Sequence, residues 1–147
     1  MCYMIVLSTN SDRNLADLNS DFVVFSKVLP ATSKTAFLKF EHQWYLGSKD
    51  GCSCGFRHLD RQNVSLGFCD PQDWYPEESD DIAATVEAFT VLKSIATEGV
   101  ELDCIDVWTS DEDDDGPLAG EMTVNLATLS STSFRFFEGH RLLLLNA

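Results

Sequence analysis

Positive charge is scarce in this chain: 10 Lys and Arg stand against 24 Asp and Glu, giving a formal net charge of −14 over 147 residues. The shortage is uneven. Residues 1–66 carry seven basic and six acidic side chains, whereas residues 67–147 carry three basic (Lys93, Arg135, Arg141) and eighteen acidic ones. A polyanion is repelled by that second half, which argues against nucleic acid or an anionic membrane as a direct partner and favours a basic protein or a cation. Long apolar runs are also missing. The opening segment through Leu7 lacks a basic leader and is too short for a signal peptide or a bilayer span. A cytoplasmic chain with reduced thiols is therefore expected.

Several chemical signatures are absent too. Gly51-x3-Gly55 lacks the Lys-Ser/Thr that follows in a phosphate loop, and neither Gly-x-Ser-x-Gly nor His-Glu-x2-His occurs. Histidine is limited to His42, His58 and His140. With no complete catalytic constellation, a non-enzymatic binding or regulatory module is the leading expectation. A small thiol-dependent enzyme is the alternative.

What is present is an ordinary globular composition, 44% apolar and 23% charged, at a length that suits one domain spanning 1–147. Residues 2–8 form a short apolar run ended by polar turn residues and read as a strand, as do Phe22–Phe25, ended before Pro30, and the β-like stretch Phe37–Leu46. A helix is predicted over 79–98. Ser79 would cap it, Asp80 and Asp81 suit the positive end of its dipole, and Ile82, Val86, Phe89, Leu92 and Ile95 form an apolar stripe ended by Gly99. Leu102–Trp108 alternates as a strand, Met122–Leu126 and Arg141–Leu145 follow as strands, and Ser130–Phe137 suggests one or two helical turns. Strands, a long helix, then strands again imply an α+β domain: a mainly antiparallel sheet with the helix packed on one face.

Chemistry concentrates in Gly51-Cys52-Ser53-Cys54-Gly55-Phe56-Arg57-His58. In an extended segment Cys52 and Cys54 point to one face. With His58 and Cys69 they make Cys-x-Cys-x3-His-x10-Cys, a soft sulfur and imidazole set suited to tetrahedral zinc, though not in the paired Cys-x2-Cys spacing of common zinc modules. Alternatively, Cys52 or Cys54 acts as a nucleophile or redox thiol, with Arg57 and His58 as its catalytic neighbours. Lys49, Arg57, His58 and Arg61 bracket the thiols, and a converging positive field would raise the thiolate fraction. The competing expectation is that these thiols simply fill small buried spaces.

Three further features carry weaker signals. Asp111, Asp113 and Asp115 with Gly116 resemble the start of a calcium loop and suggest a weak divalent-cation site, but Met122 stands where the closing Glu belongs. Cys2 either packs in the first strand or, once Met1 is removed, offers an N-terminal nucleophile. Class II amidotransferases resemble the chain in that start alone, with Tyr3 where they carry glycine. Trp44-Tyr45 and Trp74-Tyr75 read as core anchors or as the floor of a pocket.

Overall fold

The computed structural model describes residues 2–108 and 116–147. Its strands are β1 (Tyr3–Thr9), β2 (Val24–Ser26), β3 (His42–Gly47), β4 (His58–Leu59), β5 (Leu102–Trp108), β6 (Gly120–Asn125), β7 (Phe136–Phe137) and β8 (His140–Leu145), and its helix is α1 (Ser79–Ile95). Six strands form one sheet in the order β2-β3-β1-β5-β8-β6, while β4 and β7 make a separate parallel pair. Every neighbour in the large sheet is antiparallel except β6 beside β8. Among the described residues the architecture is thus α+β, with a mainly antiparallel sheet and one α-helix.

β1 and β5 lie at the centre because their residues are apolar on both faces. On the helix side, Ile5, Leu7, Trp44, Leu46, Cys104 and Leu142 pack against Ala84, Ala88, Phe89 and Leu92 of α1. On the other side, Val6, Leu38, Ile105 and Val107 form a smaller cluster. The small face also buries Asp103, which accepts from Arg141 Nε (2.7 Å), the Lys39 amide (3.0 Å) and the Ser8 hydroxyl. A buried carboxylate is tolerated there because several donors replace its water.

Three local expectations change. The helix ends at Ile95 rather than 98: the Ala96 amide makes the last bond, to the Leu92 carbonyl, Ala96 leaves the helical region at ψ 62°, and the chain turns through Gly99 at φ +80°. Glu78, not Ser79, takes the cap position, without a side-chain bond to the first turn. Residues 130–137 are not helical beyond a turn. Phe134, Phe136 and Phe137 are all buried, and Phe136 donates its amide to the Arg57 carbonyl, so burial and pairing pull the segment into β7. No helix among the described residues is long and apolar enough to cross a membrane.

Candidate functional site

The thiol segment begins where β3 runs out. The chain folds back tightly after Gly47, with the Gly51 amide bonded to the Ser48 carbonyl at 2.7 Å. A Cβ at Gly47 would meet the Gly51 carbonyl oxygen at 2.6 Å, and one at Gly55 would strike the Ser48 side chain. Only glycine permits both approaches. Cys52 remains extended and caps a 3-10 turn over Ser53–Gly55, its sulfur accepting the Cys54 amide at 3.4 Å. Cys52 and Cys54 are therefore brought near each other by a turn, not by the two-residue period of a strand.

Ser53 pins this turn to the sheet. It is fully buried, its hydroxyl donates to the Leu46 carbonyl (2.5 Å) and accepts the Ile5 amide (2.9 Å), and its own amide donates to Tyr45 Oη (3.2 Å). The link to Ile5 places the turn over the start of β1. There the Tyr3 amide donates to Cys54 Sγ at 3.2 Å, and Cys2 joins the pair. The sulfurs of Cys2, Cys52 and Cys54 all lie within 4.8 Å of one another. All three are thiols, with Cys54 exposed and the other two half-buried.

The structure does not bring His58 or Cys69 into this group. His58 sits at the start of β4 with both ring nitrogens engaged: Nδ1 lies 2.6 Å from Asp106 Oδ2 and Nε2 lies 2.7 Å from the Ser53 carbonyl oxygen. A carbonyl can only accept, and so does an ionised carboxylate, so the two contacts together select the imidazolium. Burial opposes that charge, but the adjacent Asp106 carboxylate and the two hydrogen bonds outweigh it and raise the His58 pKa above its ordinary value. The Tyr3 ring stacks on the imidazole at 3.9 Å and 4°. Cys69 lies elsewhere. Its sulfur accepts from Arg135 Nη2 at 3.2 Å, and its carbonyl accepts from both Arg57 and Arg135.

Arg57 faces away from the thiols, into a buried cluster. Its guanidinium grips Glu77 through Nε and Nη2, with Nη2–Oε1 at 2.9 Å, and donates to the Thr132 and Phe134 carbonyls. The expected positive field does not converge on sulfur. Arg61 pairs with Glu138, Lys49 with Asp80, Arg57 with Glu77 and His58 with Asp106. Each cation faces a carboxylate.

The thiols are distinguished by hydrogen bonds instead. Burial works against ionisation of Cys52, but the Cys54 amide, the Cys54 thiol and Cys2 outweigh it and lower its pKa. Cys54 is pushed up to about 12, by burial first and then by holding the proton it shares with Cys52. One peptide group connects this pair to the histidine. The Ser53–Cys54 unit accepts His58 Nε2–H at its oxygen and donates its N–H to Cys52 sulfur. A chain of hydrogen bonds thus runs from Asp106 through His58 and this peptide group to Cys52.

Two cavities meet at Cys54. One of about 450 Å³ is lined by Tyr3, Cys54, His58, Tyr75, Glu78 and Asp81 among others. The other, of about 390 Å³, adds Cys52, Lys49 and Asp80. Tyr75 thus lines a cavity, while Trp44 lies in the core and Trp74 is exposed. Cys104 is sealed in the core, and burial holds its thiol well above the ordinary value. Asp111, Asp113 and Asp115 lie outside the described residues.

Comparison of the chain with protein-family models, curated proteins and solved structures finds no match. Sequence reasoning did not connect Cys2 to Cys52 and Cys54, or Asp106 to His58. Its usable signal was Cys2 at the head of an apolar strand, which becomes informative only when β3 is known to pair with β1.

Proposed function

We propose that this chain is a metal-binding module whose Cys2, Cys52 and Cys54 sulfurs capture a thiophilic cation such as Zn²⁺. The observation that carries this reading is the approach of three sulfurs to within 4.8 Å, from chain positions about 50 residues apart. Soft thiolates select zinc and comparable ions. Amide donors on Cys52 and Cys54 orient two of the sulfurs, and the Asp106–His58 pair stands behind the turn as outer-shell support.

The electrostatic setting favours a cation over a bare thiolate. Glu78, Asp80 and Asp81 line the approach, and the nearby basic groups are already paired. Three anionic sulfurs in that field need positive charge to be stable, and a metal ion supplies it. The thiol-enzyme alternative draws support from the opposed shifts of Cys52 and Cys54, but it lacks a neighbouring base, since both His58 nitrogens are engaged. The acidic second half of the chain favours a basic partner for the module.

Zinc titration of the reduced, metal-free protein against a chromogenic chelator tests the reading. One equivalent is expected to bind the wild type, with affinity lost in Cys2→Ser, Cys52→Ser and Cys54→Ser alike. Retention of wild-type affinity in Cys2→Ser would sink the three-sulfur site.

A further inference from the structure

We infer that the centre is open: three thiols supply three donors, and an external uncharged nitrogen donor of the imidazole class completes the coordination from the cavity side. This rests on the metal reading above and adds what the site accepts. Among the described residues, no fourth His, Cys, Asp or Glu ligand atom joins the trio. The nearest imidazole is spent, with His58 Nδ1 on Asp106 and Nε2 on the Ser53 carbonyl. Cys69 is not among the sulfurs that converge, and lies against Arg135 instead. A three-donor protein site leaves one position of a tetrahedral ion for an outside group.

Access is built in. Cys54 lines both cavities and Cys52 lines one, so two of the three cysteines border space of a size that admits a small molecule. The walls then decide its charge. Glu78 and Asp81 line both cavities, Glu77 lines the larger, and Asp50 and Asp80 line the smaller. The cations in those walls are Lys49, Arg57 and His58, and each is paired with a carboxylate. An anionic donor entering here meets uncompensated negative charge, which an uncharged one does not. Tyr3 and Tyr75 in the larger cavity present aromatic surface, which favours a flat heteroaromatic ring over an aliphatic amine.

The test uses the full chain loaded with Co²⁺, whose sulfur-to-cobalt charge-transfer and visible bands report the coordination sphere. Imidazole and azide are titrated separately. Imidazole is expected to shift the visible bands at a concentration about tenfold below that needed for azide. In Asp81→Asn combined with Glu78→Gln, the azide requirement is expected to fall toward that of imidazole while imidazole itself changes little. Bands that respond to neither probe would mean a closed centre and overturn the inference while leaving the metal reading intact. Azide acting at or below the imidazole concentration in the wild type would overturn the uncharged-donor assignment. Absence of any sulfur-to-cobalt band would overturn the metal reading and this inference together.

Discussion

Arg57 and His58 are neighbours at β4, yet they serve opposite regions. Arg57 turns into a buried cluster with Glu77, Arg135 and Cys69, and His58 turns toward Asp106 and the thiol turn. Both regions contain a cysteine near a cationic side chain. They differ in how many sulfurs converge. Around Cys69, carbonyls and Glu77 consume the Arg57 donors, and the sulfur itself takes an Arg135 donor. Around Cys54, three sulfurs lie within 4.8 Å of one another, and Cys54 and Cys52 line cavities. A charge beside a thiol does not make a site; several sulfurs converging on one point do.

The comparison breaks most visibly at Glu77. It is the carboxylate between two guanidinium groups whose side chains are each 1% exposed. Glu77→Ala leaves both uncompensated and is expected to cost about 3–5 kcal/mol by urea denaturation. Zinc stoichiometry in the protein that remains folded should stay at the wild-type value. A cost under about 1 kcal/mol would show that the cluster is not the strut described here.

Sulfur substitutions sharpen the contrast. Cys2→Ser is expected to weaken zinc binding by about 100-fold or more, whereas Cys69→Ser should leave it within about threefold. Equal losses at the two positions would erase the distinction between the regions. Smaller again is His58→Gln, which retains a donor for the Ser53 carbonyl but removes the imidazolium. Outer-shell changes of this kind lower metal affinity by about tenfold.

The His58 charge also has a pH signature. Its folded pKa is raised above 6.5, so the imidazolium contributes stability that is fully present below pH 6.5 and is lost as pH rises through the raised folded value. The difference in denaturation midpoint between wild type and His58→Gln should therefore be largest on the acid side and shrink with rising pH. A constant difference would remove the charge from the account. The smallest effect is expected at Lys49, whose pair with Asp80 is 50% and 70% exposed. Lys49→Ala should change stability by less than about 0.5 kcal/mol.

The fold was legible where periodicity and length agree. The apolar stripe with an acidic start marks α1, and the short apolar runs mark β1, β5 and β8. Helix reading failed at 130–137 because three phenylalanines in that stretch have more to gain from burial than from local turns. Within the candidate site, Cys52, Cys54 and His58 were picked out by composition, but their relations were not. Whether His58 faces sulfur or a carboxylate depends on Asp106, which lies 48 residues away.

Residue types and local pattern alone determined the α+β class, the acidity that favours cations, and the presence of thiols in a glycine-bounded segment. Only the tertiary structure decided which thiols share a site. β1 pairs with β3, the Ser53 hydroxyl takes the Ile5 amide, and Cys2 is thereby set beside Cys52 and Cys54. The reason is physical: metal coordination depends on distances of a few ångströms between atoms, and strand pairing sets those distances for residues far apart in the chain.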